Sequence, residues 1–309
     1  MVLLLTPVFG PPDQWRGLIA AELPDLDVRI WPDAGNPADI EVAAVAGLPR
    51  GTLKTFPNLR LIVSLTAGVD GLIADPELPD VPLVRAAEPD SGDAMINEFA
   101  LLHVLRHHRG MPAFALAQQR SEWLRITPIP AHERKVGVMG LGTIGLGVAR
   151  TLKDHGFDVA GWVRSPRSLD GIAVFHGRDQ LPAFLERSDI VVNVLPHTPE
   201  TTGVLNASAF ALMPKGGAVI NIGRGPQVVG DDLIAALDSD HLAAATLDVF
   251  DVEPLPKESP LWRHPKITIT PHVSRRIYPG NLAPRVCDAI RRLKAGQPLR
   301  HLVDRQRGY

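Results

Sequence analysis

Short apolar runs alternate with amphipathic stretches along the first third of the chain. Helical patterns lie at Gln14–Glu22 and Gly51–Phe56. The strand-like runs are Val2–Leu5, Val28–Trp31, Val42–Ala46, Leu61–Leu65 and Leu83–Ala86. Alternation of this kind predicts a parallel sheet covered by helices.

A long helix is predicted next, over Gly92–Arg109, and we expect Gly110 and Pro112 to end it. Apolar residues occur almost all round this helix, so we expect it to be buried between two domains. His103 and His107 lie four residues apart, a spacing that can bind zinc. Because no third ligand lies nearby in the sequence, we interpret them as a surface pair and expect no metal.

A second series of strands and helices begins at Lys135. The predicted helices are Ile144–His155, Leu181–Glu186, Ala207–Leu212 and Asp232–Leu237. The predicted strands are Val136–Met139, Asp158–Trp162, Ile190–Val194, Ala218–Ile222, Ala245–Val249 and Ile267–Thr270. Six strands with intervening helices are typical of a dinucleotide-binding domain.

The predicted fold class is therefore α/β, with two Rossmann-like, doubly wound parallel-sheet domains. A final helix at Asn281–Lys294 is expected to return to the first domain and make it discontinuous. We expect residues 1–98 and 272–309 to form a substrate domain. Residues 99–271 would form the NAD(P)-binding domain.

Composition narrows the function classes. The 309 residues are 45% hydrophobic and 21% charged, which is ordinary for a globular enzyme. A net charge of −2 argues against a nucleic-acid or anionic-membrane partner. Cys287 is the single cysteine, which excludes an internal disulfide and a cysteine-based zinc site. With no signal-peptide pattern and no run of roughly 20 apolar residues, we expect a cytoplasmic protein.

A glycine-rich loop follows the strand at Val136. Gly140 permits a tight turn, Gly142 lets a pyrophosphate approach the backbone, and Gly145 lets the following helix pack closely on the strand. Free N–H groups and the positive end of the helix dipole would then bind phosphate. The alternative is a glycine-rich turn in a protein that binds a sugar or S-adenosylmethionine.

The end of the next strand indicates which dinucleotide binds. An NAD site usually has Asp or Glu there, bonded to the ribose hydroxyls. Here Val163 stands at that position and Arg164 follows, with no acid before Asp170. Arginine binds a 2′-phosphate, so we expect a preference for NADP(H), with NAD(H) as an alternative cofactor. The competing interpretation is that Arg164 and Arg167 form a solvated pair and both cofactors are accepted.

Three side chains at or just past predicted strand ends suggest reduction of a 2-keto acid. Arg224 could bind the carboxylate and the carbonyl oxygen together. His272 could donate the proton that the developing alkoxide needs, and Glu253 could fix the tautomer of its ring. Each residue alone could be a loop or surface residue. The carboxyl ends of parallel strands share one edge, so the three are expected to converge.

These segments resemble the D-2-hydroxyacid dehydrogenases, and in particular their glyoxylate/hydroxypyruvate reductase A branch. The resemblance covers essentially the whole chain. It is carried by LTAGVDGL, VGVMGLGTIG, VVNVLPHTPETTGVLN, NIGRG, LDVFDVEPLPKESPLWRHP, TPH and the terminal VDRQRGY.

The resemblance implies NADPH-dependent reduction of glyoxylate and hydroxypyruvate by a homodimer, with His272 as proton donor, Glu253 as orienting acid and Arg224 as substrate ligand. Substrate carboxylate would also meet backbone N–H groups at Ala67, Gly68 and Val69. Asp248 would hold the nicotinamide carboxamide. The other implied cofactor contacts are Gly140, Leu141, Gly142, Thr143, Ile144, Gly145, Arg164, Ser165, Arg167, Leu195, Pro196, Ile222, Gly223 and Ser274.

Two alternatives remain open. One is a D-2-hydroxyacid dehydrogenase for another substrate, for example of the phosphoglycerate type. The other is a dinucleotide-sensing protein like the transcriptional corepressors that share this fold. Arg275 and Arg276 stand where many relatives have small residues, and they could either shift substrate choice or point to solvent. Trp123 could cap a substrate pocket or lie in a core or interface.

Overall fold

The computed structural model describes residues 1–6, 10–66, 68–86, 94–275 and 278–305. The chain divides into two compact units, the first formed by Met1–Glu88 and Arg276–Tyr309 and the second by Pro89–Arg275. The first unit is therefore discontinuous in sequence. The predicted limits at residues 98 and 271 lie ten and four residues from this division, and they stay a prediction for the functional domains.

The first unit contains a five-stranded parallel sheet. Its strand order is β2-β1-β3-β4-β5. The strands are β1 (Val2–Leu5), β2 (Asp27–Ile30), β3 (Ile40–Val45), β4 (Leu61–Ser64) and β5 (Leu83–Arg85). The helices of this unit are α1 (Pro12–Glu22), α2 (Asp70–Ile73) and, from the end of the chain, α9 (Pro279–Ala295).

Helix α9 belongs to the first unit because its apolar face completes the core there. Leu282, Val286 and Ile290 have essentially no exposed surface and pack in one cluster with Trp15 and Ile19 of α1. Their spacing of four residues places them on one side of the helix. Cys287 lies in the same cluster, where burial raises the pKa of its thiol to about 11.

The second unit is built on a seven-stranded parallel sheet. Its order is β12-β11-β10-β9-β6-β7-β8. The strands are β6 (Lys135–Met139), β7 (Asp158–Val163), β8 (Ala173–His176), β9 (Ile190–Asn193), β10 (Gly217–Asn221), β11 (Leu242–Leu247) and β12 (Ile267–Ile269). Counted from β6, this is the doubly wound dinucleotide-binding order with one added strand, and its direction reverses between β6 and β9.

The described part of this unit contains six α-helices. They are α3 (Ala94–His108), α4 (Met111–Gln119), α5 (Thr143–Asp154), α6 (Leu181–Glu186), α7 (Ala207–Leu212) and α8 (Gly230–Asp238). Helix α5 buries Val148, Ala149 and Leu152 against the strands. Among the described residues, none of the helices combines the length and hydropathy that crossing a bilayer requires.

Several predictions about elements were wrong, and the short helix α2 was missed. Strand β8 was missed, and Gly51–Phe56 contains only a 3-10 turn at Leu53–Thr55. Helix α4 was also missed, because Pro112 stands in its first turn, where a proline starts a helix as readily as it ends one. Helix α3 was expected to be buried on all sides, but only one of its faces packs on the core. Leu102, on another face, is 60% exposed. The predicted start of α3 at Gly92 lies outside the described residues.

The histidines of α3 are not a surface pair either. The hydroxyl of Thr246, on β11, lies 3.0 Å from His107 Nε2 and 3.3 Å from His103 Nδ1. Burial, followed by the charge of Arg106, lowers the pKa of His103 to about 4. Burial also lowers the pKa of His107 to about 3, with smaller contributions from His103 and Arg106. Both rings are therefore neutral groups that bind the helix to the sheet.

Candidate active site

Three neighbouring strands of the second unit are each followed by a residue that the sequence singled out. Arg224 follows β10, Asp248 follows β11 and His272 follows β12. These strands are adjacent and parallel, so their carboxyl ends share one edge of the sheet. This edge is where ligands bind in open α/β sheets.

Glu253 and His272 form a hydrogen-bonded pair at this edge. His272 Nδ1 lies 2.7 Å from Glu253 Oε2. Glu253 Oε1 accepts the backbone N–H of Phe250 at 2.9 Å, which orients the carboxylate. A carboxylate only accepts hydrogen bonds, so Nδ1 is the donor and Nε2 remains for a substrate. The side chains are 49% and 35% exposed for His272 and Glu253, respectively, so the pair is in contact with solvent.

Asp248 holds the turn that carries His272. Its Oδ1 accepts the Thr270 hydroxyl at 2.6 Å and the Val273 N–H at 2.8 Å, and its Oδ2 accepts the Ser274 N–H at 2.9 Å. The backbone carbonyl of Asp248 accepts the His272 N–H at 2.8 Å. His272 has a φ of 53°, a left-handed conformation that is costly for a residue with a side chain. Four hydrogen bonds to one buried aspartate stabilise this conformation.

The Arg224 loop packs tightly against its surroundings. A Cβ on Gly223 would come within 2.5 Å of Gln227 Oε1, and a Cβ on Gly225 within 1.9 Å of the Phe250 carbonyl carbon. Only glycine permits these approaches. Because Phe250 begins the segment that leads to Glu253, Gly225 brings the Arg224 loop beside the loop that carries Glu253. The guanidinium Nη1 donates to the Gly223 carbonyl at 2.7 Å.

The glycine-rich loop lies between β6 and α5, at the point where the strand order reverses. Gly140 has a φ of 92°, and a Cβ on Gly145 would lie 1.9 Å from the Gly140 carbonyl oxygen. Both glycines are therefore required by the fold of the loop itself. A Cβ on Gly142 would meet no described atom within 4 Å, so the space beside it can admit a phosphate. Leu141 is buried, and Thr143 and Ile144 begin α5.

Arg164, Ser165 and Arg167 form an exposed segment after β7. Arg167 Nη1 donates to the Leu141 carbonyl at 2.6 Å, which joins this segment to the glycine-rich loop. The structure adds Arg178, which follows the neighbouring strand β8 and was missed in the sequence. Glu200 has a lowered pKa because it accepts bonds from its own N–H and from Thr198, with smaller effects of the Arg164 and Arg178 charges. Cations at two strand ends thus suit an anionic group.

The remaining predicted cofactor contacts line the same edge. Leu195 and Pro196 follow β9, Ile222 and Gly223 follow β10, and Ser274 closes the His272 turn. Sequence reasoning missed three buried amides among them, Asn193, Asn221 and Gln227. A signal was present, since asparagine ends two neighbouring strands that are otherwise apolar.

The other predicted residues have different placements. Gly68 and Val69 lie in the first unit after β4, whereas Ala67 and Arg276 fall outside the described residues. Arg275 is half-buried in the second unit. Trp123 is 89% exposed, so the interpretation as a core residue was wrong. Among the described residues, no group of three or more His, Cys, Asp or Glu side chains is arranged to hold a metal ion.

Comparison with known proteins agrees with this geometry. Residues 101–274 match the family described as D-isomer specific 2-hydroxyacid dehydrogenase, NAD binding domain. A glyoxylate/hydroxypyruvate reductase A from Serratia proteamaculans is 38% identical over 100% of this chain and 99% of its own. A D-isomer specific 2-hydroxyacid dehydrogenase from Xanthobacter autotrophicus, in complex with NADPH and MES, superposes with a TM-score of 0.94 at 44% identity over 100% and 99% of the two chains.

A third relative is an NADPH-dependent glyoxylate/hydroxypyruvate reductase from Sinorhizobium meliloti in complex with NADP and sulfate. It has a TM-score of 0.91 and 34% identity over 100% of this chain and 99% of its own. Fold and site together define an NAD(P)-dependent oxidoreductase. The chain belongs to the D-isomer specific 2-hydroxyacid dehydrogenase family, as its motifs predicted.

Proposed function

We propose that this chain reduces short 2-keto acids with NADPH, converting glyoxylate to glycolate and hydroxypyruvate to D-glycerate. The observation that carries the proposal is the 2.7 Å pair of His272 and Glu253 at the ligand-binding edge of the sheet. Similarity to glyoxylate/hydroxypyruvate reductases over whole chains supports this choice of substrates.

Each residue of the trio has one role in the proposed reaction. Arg224 binds the substrate carboxylate and carbonyl oxygen with its planar fork. NADPH, when bound, supplies a hydride to substrate C2. His272 donates the proton on Nε2 to the carbonyl oxygen, so that the hydroxy acid forms without a free alkoxide. Glu253 keeps the ring in position and stabilises it while it is protonated.

The proposed cofactor site uses the loops at the same edge. Gly140, Gly142 and Gly145, with Leu141, Thr143 and Ile144, would hold the pyrophosphate. Asp248 would bind the nicotinamide carboxamide in addition to holding the His272 turn. Contacts with the rest of the nicotinamide half are assigned to Leu195, Pro196, Ile222, Gly223 and Ser274.

We propose that the protein prefers NADP(H), because Arg164, Ser165 and Arg167 would bind the adenosine 2′-phosphate. Val163 stands where an acid would repel that phosphate. The relatives in complex with NADPH or NADP support this choice.

In the first unit, backbone N–H groups of Ala67, Gly68 and Val69 are proposed to bind the substrate carboxylate. A glycine-containing turn at the end of β4 suits an anion. The first unit would then be the substrate domain.

A homodimer in the cytoplasm is proposed for the assembly and location. Large apolar side chains are exposed on the second unit along α3, α4 and the segment after them, namely Leu102, Met111, Trp123, Leu124 and Ile126. Apolar surface of this kind is typical of an interface. The near-neutral net charge of −2 argues against a nucleic-acid partner.

Initial rates test the proposal directly. NADPH and NADH are each assayed with glyoxylate, hydroxypyruvate, pyruvate and phosphohydroxypyruvate. We expect the highest kcat/KM with NADPH and the first two acids. A preference for NADH would overturn the assignment of Arg164 alone. Activity confined to phosphohydroxypyruvate would identify a different dehydrogenase, and tight NADPH binding without any turnover would favour a sensing protein.

A further inference from the structure

Three side-chain carboxamides are completely buried beside the Arg224 loop. Asn193 ends β9, Asn221 ends β10, and Gln227 lies three residues after Arg224. All three are 0% exposed. We call these residues the amide cluster. Buried polar groups are costly unless they are hydrogen-bonded, and an apolar side chain would fill the same volume without that cost.

The amide cluster is joined internally by Asn193. Its Nδ2 donates to Asn221 Oδ1 at 2.9 Å and to Gln227 Oε1 at 2.7 Å. Its Oδ1 accepts the backbone N–H of Leu195 at 3.3 Å. One amide group therefore connects the ends of two strands with the loop after the second.

Both backbone polar groups of Arg224 are bound by the cluster. The Arg224 N–H donates to Gln227 Oε1 at 2.8 Å, and the Arg224 carbonyl accepts from Asn221 Nδ2 at 3.0 Å. Gly223 N–H donates to Asn221 Oδ1 at 3.2 Å. Because Arg224 is held on both sides of its Cα, the origin of its side chain is fixed.

The nitrogen end of Gln227 binds a different segment. Its Nε2 donates to the Leu195 carbonyl at 3.1 Å and to the Pro196 carbonyl at 2.8 Å. Leu195 and Pro196 form the turn assigned above to the nicotinamide half of the cofactor. A single carboxamide thus has its oxygen on the Arg224 loop and its nitrogen on the cofactor turn.

We propose that Gln227 is a positioning residue that holds Arg224 in place for the substrate and couples the Arg224 loop to the Leu195–Pro196 turn. The proposal rests on the proposed function, in which Arg224 binds the keto acid. It extends that function because the two ends of Gln227 affect different ligands. The oxygen end holds the loop that binds the keto acid, and the nitrogen end holds the turn that contacts the dinucleotide.

Two substitutions separate these ends. Gln227→Met keeps the length of the side chain and removes both its hydrogen-bond acceptor and its donor. KM for glyoxylate is therefore expected to rise by about tenfold to a hundredfold, as for a small misplacement of a binding group. Gln227→Glu keeps the acceptor for Arg224 N–H and removes the donors to Leu195 and Pro196. It is expected to raise KM for NADPH more than KM for glyoxylate.

Asn206→Ala is the matched control. Asn206 also accepts a backbone N–H, from Ala209 at 3.1 Å, and donates to a carbonyl, that of Gly203 at 2.9 Å, but it caps α7 instead of holding Arg224. Its loss should lower the melting temperature and leave both KM values within about twofold, as expected for a cap that acts on stability alone.

Amide hydrogen exchange in the ligand-free protein gives a readout independent of activity. The Arg224 N–H is expected to exchange faster in Gln227→Met than in the wild type, and at the wild-type rate in Asn206→Ala. If the wild type reduces no keto acid but Arg224 N–H still exchanges faster in Gln227→Met than in the wild type, the proposed function is rejected and the positioning of Arg224 by Gln227 is supported. Unchanged exchange together with unchanged KM values would overturn the proposal. If Gln227→Met does not fold, a Gln227→Glu variant whose KM for NADPH is unchanged would also overturn it.

Discussion

The Arg224 loop and the His272 turn lie at the same edge of one sheet, yet they are held by different chemistry. Neutral carboxamides without exposed surface hold Arg224. A single carboxylate, that of Asp248, holds the His272 turn, and the histidine itself is half-exposed in a left-handed conformation. The Arg224 loop is held by buried side chains. The His272 turn is held by hydrogen bonds to Asp248, while the His272 side chain itself is in contact with solvent.

The difference corresponds to the two proposed tasks. A group that binds the substrate has to stay in one position throughout turnover, and a buried, satisfied hydrogen-bond network provides that rigidity. A proton donor must also recover a proton from solvent after every turnover, which requires exposure. The 49% exposure of His272 permits this recovery, and Asp248 limits the motion that exposure would otherwise allow.

Removing the binding group should have the largest effect. In Arg224→Gln the charge and the fork are lost, so kcat/KM for glyoxylate is expected to fall by about 10²- to 10⁴-fold, as when one partner of a buried charge pair is truncated. Steady-state kinetics measure this loss. Arg150→Gln, a change of an exposed arginine on α5, is the control and should leave kcat/KM unaltered. A loss below about fivefold would be inconsistent with a direct contact to the substrate.

Weakening the hydrogen bonds between Asp248 and the His272 turn should have an intermediate effect on turnover. Asp248→Asn leaves a buried donor of the His272 turn without an acceptor, which costs about 1–3 kcal/mol of unfolding free energy. Displacement of His272 should lower kcat by about tenfold to a hundredfold. Urea unfolding and steady-state kinetics measure the two losses together.

Asp189→Asn is the matched control for that change. Asp189 also accepts a backbone N–H, from Lys135 at 3.0 Å, but it lies at the start of β9, away from the carboxyl ends. It should lose stability and keep its kcat. An Asp248→Asn variant with the same behaviour would show that Asp248 supports the fold without positioning His272.

The last expected effect is on stability and not on turnover, and it concerns acidification. His103 and His107 have pKa values lowered to about 4 and about 3 in the folded chain. Unfolded histidine titrates near about 6.5, so the unfolded chain binds more protons below that pH. The free energy of unfolding should therefore fall as the pH falls from about 6.5 towards 4, by up to about 1.4 kcal/mol per pH unit for each ring.

Unfolding by urea at a series of pH values measures this slope. His107→Gln should reduce it, whereas a change of the exposed His132 to Gln should not. Because Thr246 lies on β11, two residues before Asp248, this titration acts on the strand that positions Asp248. The amide cluster contains no titrating group. Equal slopes in all three proteins would refute the role of the buried pair.

Much of the fold could be predicted because buried parallel strands are continuous apolar runs. Strand β8 was missed although three of its four residues are apolar, because the strand is short, lies at the edge of the sheet and is only partly buried. For α3, amino-acid composition suggested burial all round, but a single chain buries only the face that includes Ile96, Ala100 and Val104.

The strand ends that precede Arg224 and His272 could be predicted from the sequence, because every strand of a parallel sheet ends at one edge. The supports of the trio could not. Gln227 binds atoms 31 to 34 residues away in the chain, and these contacts follow from the order of β9 and β10 in the sheet and not from local spacing. Likewise, Asp248 contacts residues 22 to 26 positions ahead of it.

The most direct test of the proposed chemistry is kcat for glyoxylate in wild type, Glu253→Gln, His272→Ala and the double variant, each at saturating NADPH. We expect His272→Ala to lower kcat by about 10²- to 10⁴-fold, the usual contribution of a general acid. Because Glu253 acts through His272, its substitution should lower kcat in the wild type and have no further effect in His272→Ala. Near-normal kcat in His272→Ala, or independent losses that multiply in the double variant, would contradict the assignment of His272 as the proton donor oriented by Glu253.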